Sequence, residues 1–195
     1  MNKFLMISPN YDVSKLAIPT TIDSLIDVYE DRIRFWTIEP ARIISQYPHG
    51  GFAVCHLLAS YFESYAIYFK GKDSEKKSFD FFSMGLFSVF PELKFQTYTK
   101  NQLDEFISIM YKSFRCGLYH IGLAREKIML VNGDDALNII TNVENQIITV
   151  QIDTSKLISS IENHFNKYIC DLRNVNNIET RKNFRKSMEL LFFNE

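Results

Sequence analysis

Arg115 and His120 stand five residues apart in Phe114-Arg115-Cys116-Gly117-Leu118-Tyr119-His120, a permanent cation paired with a group that can transfer protons. A guanidinium grips phosphate through its planar fork and steadies developing negative charge. Imidazole ordinarily titrates near neutral pH, so it can give or take a proton as general acid or base. On one helix, five residues separate the two by about 140° around the axis and about 7.5 Å along it. The plainer alternative is that Arg115 pairs with a carboxylate and His120 is a hydrogen-bonded boundary residue. With 4 histidines and twice as many arginines in the chain, one such spacing is no surprise. A second pair, Arg42-x6-His49, is interrupted by Pro48 in a stretch expected to be a loop.

What favours Arg115 and His120 is their place in the chain. Leu103, Phe106, Ile107, Met110, Phe114, Leu118 and Ile121 recur at helical spacing, predicting a helix over 103–121. On the face away from this stripe, Lys112, Cys116 and Tyr119 accompany the pair. That face is partly apolar, unlike a solvated helix back, so the helix is expected to be central or to pack on a second subunit.

Before it, helices are predicted over 22–37, capped by Thr20 or Thr21, over 52–69, stopped by Gly71, and over 73–90, closed by Pro91. Pro40 and the 46–51 stretch are expected to break the chain. Residues 1–19 read as an irregular leader. After the fourth helix come three short β-branched runs, 127–131, 136–141 and 146–152, separated by turn-forming Asn, Gly and Asp. They predict a small antiparallel β-meander over 127–152. C-terminal helices over 154–193 follow, the first capped by Thr154 or Ser155. The expected class is mainly α: one domain over 1–195, a helical bundle with the meander inserted before its last helices.

Two further clusters carry chemistry. His56, Ser60 and Glu63 fall on one stripe of the second helix, an orienting partner for the motif or simply a wet face. Arg181, Lys182, Arg185 and Lys186 pair at i, i+4, a phosphate-contact patch together with Lys112 or a solvated face diluted by Glu179 and Glu189.

Composition narrows the rest. With 195 residues, 46% hydrophobic and 23% charged, the chain suits one globular domain. A net charge of -1 means that any nucleic-acid contact must come from a local patch. The 3 cysteines, Cys55, Cys116 and Cys170, lie far apart without metal-ligand spacing, so free thiols in a reducing cytoplasm are expected, with no metal and no cofactor. Neither a signal peptide nor a membrane span is expected. Nucleotide-binding glycine loops and nucleophile elbows are absent from the sequence.

Arg115-x4-His120, late on a long helix, resembles the Arg-x(4–6)-His signature of the HEPN superfamily, and the resemblance covers roughly residues 50–123. It implies a bundle of HEPN type and metal-independent RNA cleavage, with Arg115 and His120 catalytic. Glu63, His56, Cys116 and Tyr119 would support them. A homodimer is implied, with the two motifs facing across a cleft, and a toxin or defence role with a cognate antitoxin or partner protein. Cys116 departs from the pattern, which often has a polar residue directly after the arginine. The alternative is a non-catalytic HEPN-like module that binds a protein or nucleotide as an adaptor.

Overall fold

Thr21 opens the first helix by accepting the Ser24 amide on its hydroxyl at 3.1 Å, and Asp23 lies in the first turn, where the helix dipole favours a negative charge. The computed structural model describes residues 6–16, 19–94, 98–124 and 126–192. From Thr21 the chain forms α1 (Ile22–Ile33), a π-helical segment (Arg34–Ile38) and α2 (Glu39–Ile44) as one continuous rod. Pro40 therefore does not end the helix, contrary to the sequence expectation. Its ring would collide with a carbonyl one turn back in regular α geometry. The wider turn just before it, in which the Glu39 amide reaches back to Arg34, relieves that conflict. The break comes instead at residues 45–50.

The central element is α3 (Gly51–Lys70), closed by Gly71 at φ +63°. It buries Val54, Leu58, Tyr61, Phe62, Tyr65 and Tyr68. Against it lies α4 (Ser78–Val89). This helix starts later than its sequence suggests, because residues 72–77 form a turn in which Lys76 has φ +60° and the Ser74 hydroxyl is committed to Glu63. Gly85 sets the approach of α4 to α3: a Cβ there would lie 1.9 Å from the Phe62 carbonyl oxygen.

A capping box of Thr99 and Gln102 then starts α5 (Lys100–Ile109), which runs through a second π-helical segment (Met110–Cys116) into α6 (Gly117–Ile121). Phe106, Ile107, Met110, Phe114 and Leu118 are buried, as their spacing predicts. Last come α7 (Thr154–Arg173) and α8 (Ile178–Phe192). The cap of α7 is Asp153, one residue ahead of the expected pair, accepting the Ser155 and Lys156 amides. Residue 193, the expected end of α8, lies outside the described residues.

The β insert is a mixed sheet, not an antiparallel meander. Its strands are β1 (Ile128–Leu130), β2 (Leu137–Thr141) and β3 (Ile147–Ile152), in spatial order β1-β3-β2. β2 and β3 form an antiparallel hairpin, but β1 pairs with β3 in parallel. The buried side chains of Ile147, Val150 and Ile152 suit β3 to the middle. The link from β1 to β2 passes the end of β3, where the Gly133 amide donates to Asp153 at 2.8 Å and the Asp153 amide to the Ala136 carbonyl at 3.1 Å.

The leader also differs from expectation where it is described. Val13–Leu16 form a turn of 3-10 helix. Asn10 donates its backbone and side-chain nitrogens to the buried Asp31 at 2.8 and 2.6 Å, pinning the leader on α1. Among the described residues, no helix is long and apolar enough to cross a membrane.

Gly85→Ala should force α4 off α3 and destabilise the protein by roughly 2 kcal/mol or more. Urea denaturation of the variant beside wild type tests this; an unchanged midpoint would show that the two helices are not in such close contact.

Candidate functional site

Two π-helical segments pack on α3, and scarcely on one another, and between them lies a groove of about 480 Å³. The first segment contributes Trp36 and Thr37, and α3 supplies His56, Ser60, Glu63 and Ile67 among others. The second segment and the helix that follows it contribute Arg115, Leu118 and Tyr119. Single π turns inside α-helices are concentrated at functional sites, because the extra residue pushes side chains out of helical register. Here both π segments border the same groove.

Arg115 and Glu63 meet in the groove. The Arg115 Nη2 donates to Glu63 Oε2 at 2.9 Å, and the Ser74 hydroxyl donates to Glu63 Oε1 at 2.7 Å. Each carboxylate oxygen thus has one donor, and the contact to Arg115 uses one nitrogen of a fork that carries five N–H groups. The guanidinium also lies by the rings of Tyr111 and Tyr119, 5.7 and 5.6 Å from their centroids. Partial burial works against its charge, but Glu63 outweighs that and raises its pKa, so Arg115 is a permanent cation.

His120 is placed differently. It is exposed and does not line the groove, although the sequence reading put it on one face with Arg115; the π-helical turn ending at Cys116 shifts the register between them. Its ring packs edge-on against Tyr119, centroids 5.1 Å apart. Tyr119 therefore touches both motif residues and itself stands 71% exposed. Within one chain, Arg115 and His120 share a neighbour and not a cavity.

The remaining candidates divide. His56 and Ser60 line the groove beside Glu63, as their common stripe suggests. Cys116 is half-buried outside the lining, Cys55 is buried with its thiol pushed up to about 12 by burial, and Cys170 is exposed. Lys112 borders a different depression, with Glu105 and Lys127. Arg181 is largely spent on the fold: it donates to the Leu172 carbonyl at the end of α7 and pairs with Asp23 at 3.7 Å. Arg185 pairs with Glu189 at 2.7 Å, while Lys182 and Lys186 are exposed. Arg42 pairs with Glu39 and with Glu162 at 2.6 Å, far from a motif role with His49. Among the described residues, no group of three or more His, Cys, Asp or Glu is placed to hold a metal ion.

Spacing gave no sign of a second polar cluster. His164 on α7 has its Nδ1 2.9 Å from the Tyr61 hydroxyl and its Nε2 2.9 Å from Ser88 Oγ, which donates on to the Tyr65 hydroxyl at 3.2 Å. Tyr61 donating to Nδ1, with the Nε2–H donated to Ser88, satisfies all three contacts with a neutral ring. Burial, helped by Lys167, lowers the His164 pKa to about 4. The cluster joins α3, α4 and α7 and faces no cavity that the motif lines, which makes it a structural tie.

No protein-family model, curated protein or solved structure matches the chain. Its function rests on this geometry and on the motif.

Two outcomes are expected from these contacts. A double-mutant cycle of Glu63→Gln and Arg115→Gln should give a coupling energy of about 1 kcal/mol in stability, and strict additivity would show the pair to be idle. For His164, the folded protein stays unprotonated down to about pH 4, whereas the unfolded chain protonates near 6.5. Its contribution is fully present above pH 6.5 and is lost as pH falls toward 4. Chemical denaturation should record a loss of about 2 kcal/mol between pH 7 and 5, where carboxylates contribute little. His164→Gln should flatten that slope; an equal slope in the variant would move its cause elsewhere.

Proposed function

We propose that the protein is a metal-independent endoribonuclease of HEPN type. The observation that carries this reading is the arrangement around Tyr119: the motif arginine, held by Glu63, and the motif histidine contact the same exposed ring. A ribose and its 3′ phosphate beside that ring would have a cation and an imidazole within reach of one side chain. The 2′-oxygen would attack phosphorus as the bond from phosphorus to the 5′-oxygen breaks, leaving a 2′,3′-cyclic phosphate and a 5′-hydroxyl. His120 would move the proton, as base toward the 2′-hydroxyl or as acid toward the leaving oxygen. Arg115 would stabilise the charge that builds on the phosphoryl oxygens. A homodimer that brings the two motif faces together would supply the second proton-transfer group.

Another reading draws on a different observation. Trp36 and Tyr119 stand exposed in the groove, Phe52 stands exposed in the depression that shares His56 and Leu57 with it, and Arg115 already has a partner in Glu63. A HEPN-like adaptor that docks a protein over the groove would use those features without chemistry.

Incubation of total and transfer RNA with the purified protein in EDTA separates the two. Cleavage leaving cyclic-phosphate ends is expected, reduced about 100-fold or more in Arg115→Ala and His120→Ala. No cutting by wild type, or equal cutting by all three proteins, would sink the ribonuclease reading in favour of the adaptor.

A further inference from the structure

The groove pairs its charged residues with two aromatic side chains that the fold leaves in the open. Trp36 comes from the π-helical segment on one side and Tyr119 from the helix on the other; both line the groove, and they are 46% and 71% exposed. Two exposed aromatic rings lining one groove suit a planar ligand. Trp36 is the single tryptophan of the chain. Its indole is backed by the Arg32 guanidinium, 5.3 Å from the ring centroid, which holds it in place and adds positive charge beside the groove.

The volume and the polar groups fit the same ligand class. About 480 Å³ is ample for a nucleobase with its ribose. The Ala59, Leu57 and Ile67 side chains give the floor an apolar character, while Glu63 and Arg115 put a hydrogen-bonding pair within it. Arg115 uses Nη2 on Glu63 and also bonds Cys116, and the remaining N–H groups of its five-donor fork can reach a phosphate next to the base. Tyr119 is in contact with both Arg115 and His120, so a base seated on its ring brings its own backbone between them.

We infer that this groove is the seat of an unpaired nucleobase of single-stranded RNA, stacked against Tyr119 and Trp36, and that these two residues position the scissile linkage. This rests on the ribonuclease reading for the chemistry of the chain, and it adds the demand for a splayed base. Double-stranded RNA keeps its bases stacked and paired, and cannot offer one to the groove. Stacking on aromatic side chains tolerates any base, so selectivity here is for strandedness before sequence. One phosphate on Arg115 also implies shallow salt dependence, with log K falling against log salt at a slope of about −0.7.

Trp36 makes the test direct. Its fluorescence is followed while a 2′-O-methyl single-stranded hexanucleotide, which cannot be cut through its 2′-oxygen, is titrated into the full-length protein. Saturable quenching is expected, with none from the matching 2′-O-methyl duplex or from an abasic strand of the same length. Tyr119→Ala should weaken binding about tenfold, and Tyr119→Phe should restore it. Quenching of equal size by the abasic strand, or no quenching by the base-containing one, overturns the inference, as does wild-type affinity in Tyr119→Ala. The ribonuclease reading fails separately. RNA cut in EDTA with Trp36 silent removes the stacking site and leaves the nuclease, whereas base-dependent quenching without cutting keeps the site and removes the catalysis.

Discussion

Helices α3 and α4 lie so close that a single hydrogen is all that fits between Gly85 and the Phe62 backbone, and the polar architecture follows from that contact. With α4 held this near, Ser88 reaches across to His164, and the turn leading into α4 returns Ser74 to Glu63. α3 is thereby buried along its aromatic face while its His56, Ser60 and Glu63 stripe stays open. One steric constraint thus serves both the core and the groove. A looser packing of α4 would leave the Glu63 carboxylate short of a donor and Arg115 less firmly held.

The electrostatics of the groove favour fixing a ligand over attracting one. Glu63 and Arg115 nearly cancel, and the chain as a whole carries a net charge of -1. Long-range steering of a polyanion is therefore weak. The phosphate contact proposed above would gain from preorganisation, since a guanidinium held by Glu63 beside two tyrosine rings has little freedom left to lose. Of the basic residues of α8, Arg181 and Arg185 are engaged with neighbouring groups of the fold, while Lys182 and Lys186 stay exposed and do not line the groove.

Both long rods that flank α3 widen into π-helical geometry where they border the groove. In one, the change goes with Pro40, and it presents Trp36. In the other, it covers Met110–Cys116 and presents Arg115. Extra residues in a helical turn cost hydrogen-bond geometry, and both walls of the one groove carry that cost.

The sequence by itself determined the local features. Periodic apolar residues marked the helix over 103–121 and the core positions Phe106, Ile107, Met110, Phe114 and Leu118, because a helix buries one stripe whatever it packs on. Gly71 ended α3, and the β-branched runs gave three strands near their observed places. The stripe of α3 put Glu63 in reach of the motif arginine. Tertiary structure alone decided the rest. The parallel pairing of β1 with β3 goes with a hydrogen bond from the Gly133 amide to Asp153, 20 residues away, which no strand pattern encodes. The passage of a helix through Pro40 depends on a π turn, invisible in a 3.6-residue period. The Tyr61, Ser88 and His164 cluster joins three helices distant in sequence. Trp36 and Tyr119 became partners in one groove for the same reason: residues 83 positions apart meet when helices pack, and packing is set by shape complementarity across the whole core.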